Sequence, residues 1–384
     1  MNKLDQEFKK GNVYSTSKPI YHTKSIETLR NGEQPYPVHV EIVISDFCNH
    51  DCGFCAYRMS GYSSNELFQI EEGNSRKARN PRRMIDKQKC FEILDDCEVM
   101  GVKAIQFTGG GEPTVHPDFV EIVTYALDKG FEVALVTNGN MLINKSHRDV
   151  VKRLKWVRVS IDSSTPEYYS EERGVGIKAW DRLEEGIKEL KKDLSEVEHD
   201  VVLGAGFVVT DRNWKQIYDA VRLYKEWGFD NVRIGLMFNP EGSKPYEAFR
   251  YDMNYLAIKA VEDFSDNRFT VINRVSEKYD ELDKGNPDFE FCSYQHFTQY
   301  IGGDLNLYRC CVYAYNKHGL VGSIKNMRFK ELLDSESKKK NMEDFKATSC
   351  ERCQFTEIIK NTNSFIESEE DRPVGIEPLH INFT

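Results

Sequence analysis

Three thiols stand within eight positions of one another, Cys48, Cys52 and Cys55, in the stretch FCNHDCGFCAYR with C-x3-C-x2-C spacing. A closed tetrahedral zinc site takes four ligands, and no fourth cysteine lies near enough in sequence to complete one locally. A second, dispersed group consists of Cys292, the pair Cys310 and Cys311, and Cys350-x2-Cys353; its C-x2-C end is also a common zinc half-site. Cys90 and Cys97 fall on an expected helix and read as core or surface thiols. The run Gly109-Gly110-Gly111-Glu112 is a glycine-rich turn with a carboxylate at its end, a pattern that alone binds anions or nothing. In NSRKARNPRRM, Arg76, Lys77, Arg79, Arg82 and Arg83 form a basic segment. It reads either as a solvated loop or as a clamp for an anionic substrate.

The elements that must position these groups are legible as a repeat. Six apolar runs, HVEIVIS (39–45), AIQFTG (104–109), EVALVTNG (132–139), WVRVSID (156–162), VVLGAGFVVT (201–210) and NVRIGLMF (231–238), read as strands. Helix-like segments are clear in every gap but the last. Asp86 caps a run to Met100, Pro117 begins one that stops at Lys129-Gly130, and Thr165-Pro166-Glu167 opens another. Strand followed by helix, repeated, predicts a parallel sheet with right-handed crossovers. The strands are rich in Val and Ile without strict alternation, as expected when helices cover them. Six units fall short of the eight that close a barrel, so the expected fold is α/β, a partial (βα)6 TIM-like barrel with a small C-terminal domain. The expected divisions are an N-terminal extension (1–36), the barrel (37–245), a helical linker (246–287) and a Cys-rich domain (288–384). In the last, TQYIGGDLNLYRCC reads as a hairpin turning at Gly302-Gly303. SEEDRPVGIEPLHINFT lacks periodicity and reads as a docked or loose terminal segment.

Cys48 follows the first strand, Gly109 to Glu112 the second and Asn138 the third. Ser160 and Asp162 end the fourth, and Thr210 follows the fifth. Parallel strands share a direction, so these groups converge on the carboxyl-end rim, where such folds place their sites. Three cysteines after the first strand, Phe54 just before the last of them, and Gly110-Gly111-Glu112 after the second strand together resemble the radical S-adenosylmethionine (radical SAM) superfamily, over roughly residues 37 to 240. The resemblance implies a [4Fe-4S] cluster held by Cys48, Cys52 and Cys55. Such clusters usually have four thiolate ligands; with three, one iron is open to chelate the methionine end of SAM. Reductive cleavage of SAM then supplies a 5'-deoxyadenosyl radical, chemistry that belongs to the cofactor. By the same resemblance, Phe54 packs near the adenine and Glu112 accepts from the SAM ammonium, with backbone support from Gly110 and Gly111. Asn138, Ser160 and Asp162 contact ribose or methionine, although Asn138-Gly139 and Asp162 also fit turn chemistry. Arg173 meets the SAM carboxylate, and Val208 and Met237 line the adenine pocket.

The second cysteine group resembles the twitch domain, a shorter relative of SPASM. This implies an auxiliary [4Fe-4S] cluster ligated by Cys292, Cys310, Cys350 and Cys353, with Cys311 an alternative to Cys310. No cysteine follows Cys353, so one auxiliary cluster is expected rather than two. A fully ligated cluster suits electron transfer, which points to a dehydrogenation or an oxidative bond formation.

With 384 residues, 40% of them hydrophobic, the chain is long enough for a large core and a smaller one. A net charge of -10 disfavours nonspecific attraction to phosphate backbones, and nucleic acid with it. No signal-like or membrane-length apolar run is present, so a cytoplasmic protein with reduced, metal-ligating thiols is expected. The expected function is a radical SAM oxidoreductase that takes a hydrogen atom from a small metabolite, anionic ones included, with flavodoxin or ferredoxin as electron donor. Alternatives are modification of a peptide side chain or of a nucleobase, the peptide disfavoured because residues 1–36 look too short and polar for leader binding. A non-catalytic iron-sulfur or zinc scaffold is the reading of another class. Tyr294, His296 and Arg309 are candidate substrate contacts.

Overall fold

The computed structural model describes residues 12–58, 66–69, 71–72, 78–368, 370, 373 and 377–384. Ten strands form its main sheet: β1 (His39–Ile42), β2 (Ala104–Phe107), β3 (Glu132–Thr137), β4 (Trp156–Ser160), β5 (Val202–Val209), β6 (Asn231–Leu236), β7 (Thr270–Asn273), β8 (Thr298–Ile301), β9 (Asn306–Tyr308) and β10 (Leu320–Ser323). Their order is β10-β9-β8-β1-β2-β3-β4-β5-β6-β7. From β8 to β7 all neighbours are parallel, and β9 and β10 add an antiparallel edge. Glu71–Glu72 and Ala78–Arg79 form a separate short ribbon.

The helices are α1 (Thr23–Arg30), α2 (Lys87–Met100), α3 (Phe119–Asp128), α4 (Lys145–Val151), α5 (Pro166–Glu172), α6 (Lys178–Ser195), α7 (Ile217–Glu226), α8 (Arg250–Phe264), α9 (Val275–Lys284), α10 (Tyr294–Phe297), α11 (Phe329–Asp334), α12 (Glu336–Glu343) and α13 (Thr356–Glu367). Local chemistry sets their ends. The Asp86 carboxylate accepts from Gln88 N at 2.9 Å to start α2, and Gly101, at φ 77°, ends it. Thr165 Oγ1 accepts from Tyr168 N at the start of α5, with Pro166 at its first position.

Three expectations are corrected. The gap between β5 and β6 does hold a helix, α7, which buries Ile217, Ala220, Val221 and Tyr224 at helical spacing; the charged residues between them thin the apolar signal. The expected linker carries a seventh parallel strand, β7, whose four residues are too few to show a period. The boundary expected at residue 288 does not interrupt the sheet. The hairpin is present, with Tyr300 opposite Tyr308, but its first strand β8 also pairs in parallel with β1, Glu41 opposite Tyr300.

Alternation is strict along β4, whereas β1 and β2 are buried at every position. Along β4, Val157 and Val159 are buried while Trp156, Arg158 and Ser160 are half-buried. The valines join the apolar layer beneath the helices, where Ile93, Ile122, Leu183, Ile187 and Val221 cover the sheet and where Cys90 and Cys97 are also buried. The inner face is polar because it lines a cavity. Phe383 packs with Ala104, Ala134 and Trp156, and its carbonyl accepts from Lys18 Nζ at 3.0 Å, so residues 377–384 are docked at the barrel floor.

Candidate active site at the carboxyl rim

Beyond β1 the chain enters the three-cysteine loop, which is clamped on two sides. Gly111 N donates to Ser45 O at 3.1 Å and Glu112 N to Phe47 O at 2.9 Å; on the far side, Asp51 N donates to Arg173 O at 2.7 Å and Gly53 N to Glu172 O at 2.8 Å. The loop after β2 therefore lies directly on the cysteine loop, and glycine is needed for that approach. A Cβ at Gly111 would sit 2.2 Å from Phe47 O, and one at Gly110 2.6 Å from Asp46 Oδ1. The Gly111 N–H is used in this clamp, and Gly110 O accepts from Asn80 Nδ2 at 3.1 Å. The two glycines thus let the two loops lie against each other.

The thiols of Cys48, Cys52 and Cys55 share this loop closely enough to oppose one another's ionisation. Burial raises all three, and neighbouring thiols raise Cys48 and Cys55 further. Three thiols in a weakly hydrated pocket become ligands only when cationic metal offsets that cost, so the donor set fits a cluster. Among the described residues no three His, Cys, Asp or Glu side chains are grouped to hold one ion, whereas a cubane is ligated at separate irons.

Around the loop, the expected residues do gather. Glu112 is buried, with Oε1 accepting from Thr114 N (3.1 Å), Thr114 Oγ1 (2.6 Å) and Thr137 Oγ1 (2.6 Å), and Oε2 from Asn138 N (2.7 Å). One donor on Oε2 leaves that oxygen able to accept another. Asn138 Nδ2 donates to Asn49 Oδ1 at 2.7 Å, tying the end of β3 to the cysteine loop. Arg173 is buried and more committed than expected: it pairs with Asp162, donates from Nη2 to Ser160 O at 2.8 Å, and directs Nη1 at Cys52 Sγ, 3.6 Å away. Its Nε is buried with no hydrogen-bond partner. Phe54 lies against this guanidinium, 5.6 Å from ring centre to Cζ. Asp162 has φ 58° and accepts from Val208 N at 2.7 Å, so it is both a turn residue and a rim residue. Met237 N donates to Val209 O at 3.0 Å, placing it beside Val208 on the same rim.

Cys292, Cys310, Cys350 and Cys353 line one small, largely apolar cavity together with Arg309, Tyr313, His318 and Phe355. Cys311 does not line it. Its side chain faces the barrel interior, where Gln354 Nε2 donates to Sγ at 3.2 Å. Burial pushes Cys292 and Cys350 up to about 12, and the neighbouring thiols add to it; this set too fits a metal centre better than four free thiols.

Three candidates have other tasks. Arg309 belongs to the four-cysteine cavity, donating to Gln295 Oε1 (2.6 Å) and Asn341 O (2.9 Å) while its charge faces Cys292, Cys310 and Cys350. His296 is buried and stacks on Phe291 at 5.4 Å, away from both cavities. Arg83 is not a free clamp, because Nε donates to Asp46 Oδ2 (2.7 Å), Nη1 to Gln69 Oε1 (3.1 Å) and Nη2 to Phe68 O (3.0 Å). Arg76 and Lys77 lie outside the described residues. Tyr294 lines both cavities and stacks on Phe355 at 4.0 Å.

Sequence reasoning missed Asp46, Tyr57, Tyr300 and Tyr315. Tyr315 donates to Asp46, Tyr300 donates to Gly109 O at 3.1 Å, and the Tyr57 and Tyr300 hydroxyls lie 2.9 Å apart. These bonds join the cysteine loop to the C-terminal strands. Only the density of tyrosines around residues 300–315 hinted at them.

A partial parallel barrel thus carries a three-thiol loop and a buried carboxylate on one rim. Residues 42–223 match the Radical SAM superfamily. This region therefore carries the fold and motifs of that superfamily, whose members bind a [4Fe-4S] cluster and SAM. A probable GTP 3',8-cyclase of Saccharolobus solfataricus is 26% identical over 197 residues, 51% of this chain and 55% of the relative. An S-adenosylmethionine-dependent nucleotide dehydratase of Selenomonas ruminantium is 28% identical over 130 residues, 33% of this chain and 40% of the relative. The chain spans about half the length, or less, of these curated relatives. In fold it is similar to Streptococcus suis SuiB bound to the precursor peptide SuiA, with TM-score 0.58, 18% identity and coverage of 83% of this chain and 69% of SuiB. It is similar also to anSMEcpe with bound AdoMet and Kp18Cys peptide, with TM-score 0.55, 19% identity and coverage of 84% and 88%. No helix among the described residues is long and apolar enough to cross a membrane.

Proposed function

We propose that this enzyme oxidises a small metabolite held inside the barrel, using a hydrogen-atom abstraction at the rim and a second, twitch-like [4Fe-4S] cluster as electron acceptor. The observation that carries the reading is the division of the adjacent thiols: Cys310 joins Cys292, Cys350 and Cys353 around one cavity, while Cys311 faces the barrel interior. When bound, SAM and its cluster supply the radical that takes the hydrogen atom, forming 5'-deoxyadenosine. A second cluster held by Cys292, Cys310, Cys350 and Cys353 would supply the acceptor for one electron, so that abstraction of the hydrogen atom followed by loss of that electron and a proton would amount to a two-electron oxidation. On this chain Cys48, Cys52 and Cys55 hold the first cluster, Oε2 of Glu112 takes the SAM ammonium, and Arg173 offers its spare Nε–H to the SAM carboxylate while it braces Cys52. Phe54, Asn138, Ser160, Asp162, Val208 and Met237 complete the SAM pocket. The names of the curated relatives, a GTP cyclase and a nucleotide dehydratase, support a small metabolite over a peptide.

The test is anaerobic reconstitution of the wild type, Cys310→Ala and Cys311→Ala, with iron and sulfide counting and an assay of 5'-deoxyadenosine from SAM and dithionite. The expected result is about eight irons in the wild type and Cys311→Ala, and about four in Cys310→Ala, with SAM cleavage retained in all three. Equal iron in both variants would sink the assignment of Cys310. About one zinc and no cleavage in the wild type would sink the enzyme reading altogether.

A further inference from the structure

We infer that Arg158 and Arg233 form the seat for an oxyanion group, phosphoryl or carboxylate, on the substrate. The inference rests on the reading that the substrate lies inside the barrel below the SAM rim. The barrel encloses a cavity of about 280 Å³ whose lining includes Glu41, Gln106, Arg158, Gly204, Arg233 and Cys311.

Five lysine and arginine side chains line this cavity, and three of them are committed elsewhere. Arg274 Nε donates to Glu277 Oε2 at 2.8 Å, Lys278 Nζ to Glu281 Oε2 at 2.5 Å, and Lys18 Nζ to Phe383 O at 3.0 Å. Arg158 and Arg233 differ. Among the described residues neither has a carboxylate in ion-pair range; Arg158 lies over Trp156 at 5.9 Å and Arg233 over Tyr14 at 5.4 Å. Burial and the nearby Arg158 lower Arg233 to about 10, which leaves Arg233 cationic at neutral pH.

The carboxyl that feels Arg158 across this cavity does not neutralise the pair. Glu41 Oε1 accepts from Gln106 Nε2 at 2.8 Å, while Oε2 is buried with no partner. Burial raises Glu41 to about 7 even though Arg158 opposes the shift. At neutral pH the pocket thus presents two planar guanidinium forks and a carboxyl that is in part a proton donor. That set matches an oxyanion better than any cation or neutral group.

Backbone choice keeps the seat open. Arg158 is opposite Gly204 and Arg233 opposite Gly206 in the sheet register. Gly235, two positions beyond Arg233 on the same strand face, would meet nothing within 4 Å if given a Cβ. Met237 follows at the rim, so a molecule anchored by its anionic end has free space along Gly235 toward the SAM pocket.

The test uses reconstituted holoenzyme and calorimetric titration at fixed ionic strength with two probes, inorganic pyrophosphate and malonate. Saturable binding of at least one is expected, and its identity distinguishes a phosphoryl from a carboxylate seat. Arg158→Gln and Arg233→Gln should each weaken binding about tenfold or more, with the Lys variants intermediate because charge is kept and the fork lost. Gly235→Leu should weaken binding of the natural substrate, read as loss of substrate-stimulated 5'-deoxyadenosine, without weakening the small probes. Uncoupled SAM cleavage should stay within about twofold of wild type in every variant, which also reports that the variants are folded. No saturable binding of either probe, or unchanged binding in both Gln variants, would overturn the seat. Probe binding by a wild type that forms no 5'-deoxyadenosine would instead overturn the enzyme reading and leave the seat standing.

Discussion

Glu41 shows how far a single buried group can carry the electrostatics of this barrel. Its carboxyl is raised from 4.5 to about 7 chiefly by burial. Between those two values the folded state holds the proton and the unfolded chain has released it, so stability falls as pH rises through that window. Glu41→Gln removes the dependence. In paired denaturant titrations the variant should gain on wild type from about pH 4.5 upward, reaching roughly 3 kcal/mol above pH 7; parallel pH profiles would show that Glu41 is not the group responsible. The role of such residues was not legible in the sequence. Arg158 in WVRVS and Arg233 in NVRIG look like ordinary polar interruptions of a strand, and only the inward face of a curved sheet turns them toward one space. Cys48, Cys52 and Cys55 were legible because their spacing lies within one loop, where sequence distance and spatial distance agree.

The loops after β1 and β2 behave as one element. They are hydrogen-bonded along Ser45 to Phe47 and Gly111 to Glu112, with glycine at the two closest approaches. Gly111→Ala puts a carbon where Phe47 O already is, and backbone cannot yield as a flexible side chain can. We expect that variant to lose the rim cluster, seen as about four fewer irons after reconstitution, while far-ultraviolet circular dichroism stays near wild type because the sheet beneath is untouched. Retention of full iron would show that the loop tolerates a shift. At this scale the sequence reading succeeded with six strands, each set in an apolar run followed by turn residues. It failed with β7, whose TVIN is set in a charged stretch read as a helical linker, and with the second partner of β8, because pairing across some 260 residues leaves no local mark.

At the scale of the molecule, the C-terminal part is an extension of the barrel sheet. β8 covers the edge of β1, and Tyr300 and Tyr315 bond across to Gly109 and Asp46. A chain cut after residue 287 would expose the β1 edge and leave Asp46 buried beside Arg83 without its hydroxyl partner. Such a truncation should aggregate or melt without a sharp transition, whereas the full holoprotein should unfold in one cooperative step by calorimetry. A soluble, cooperatively folding fragment would mean that the two parts are separable units after all.

Cys310 and Cys311 are joined by one peptide bond and face opposite sides of the wall between the two cavities. If the four-cysteine cavity holds its cluster and the barrel holds the substrate, donor and acceptor are separated by little more than a single residue.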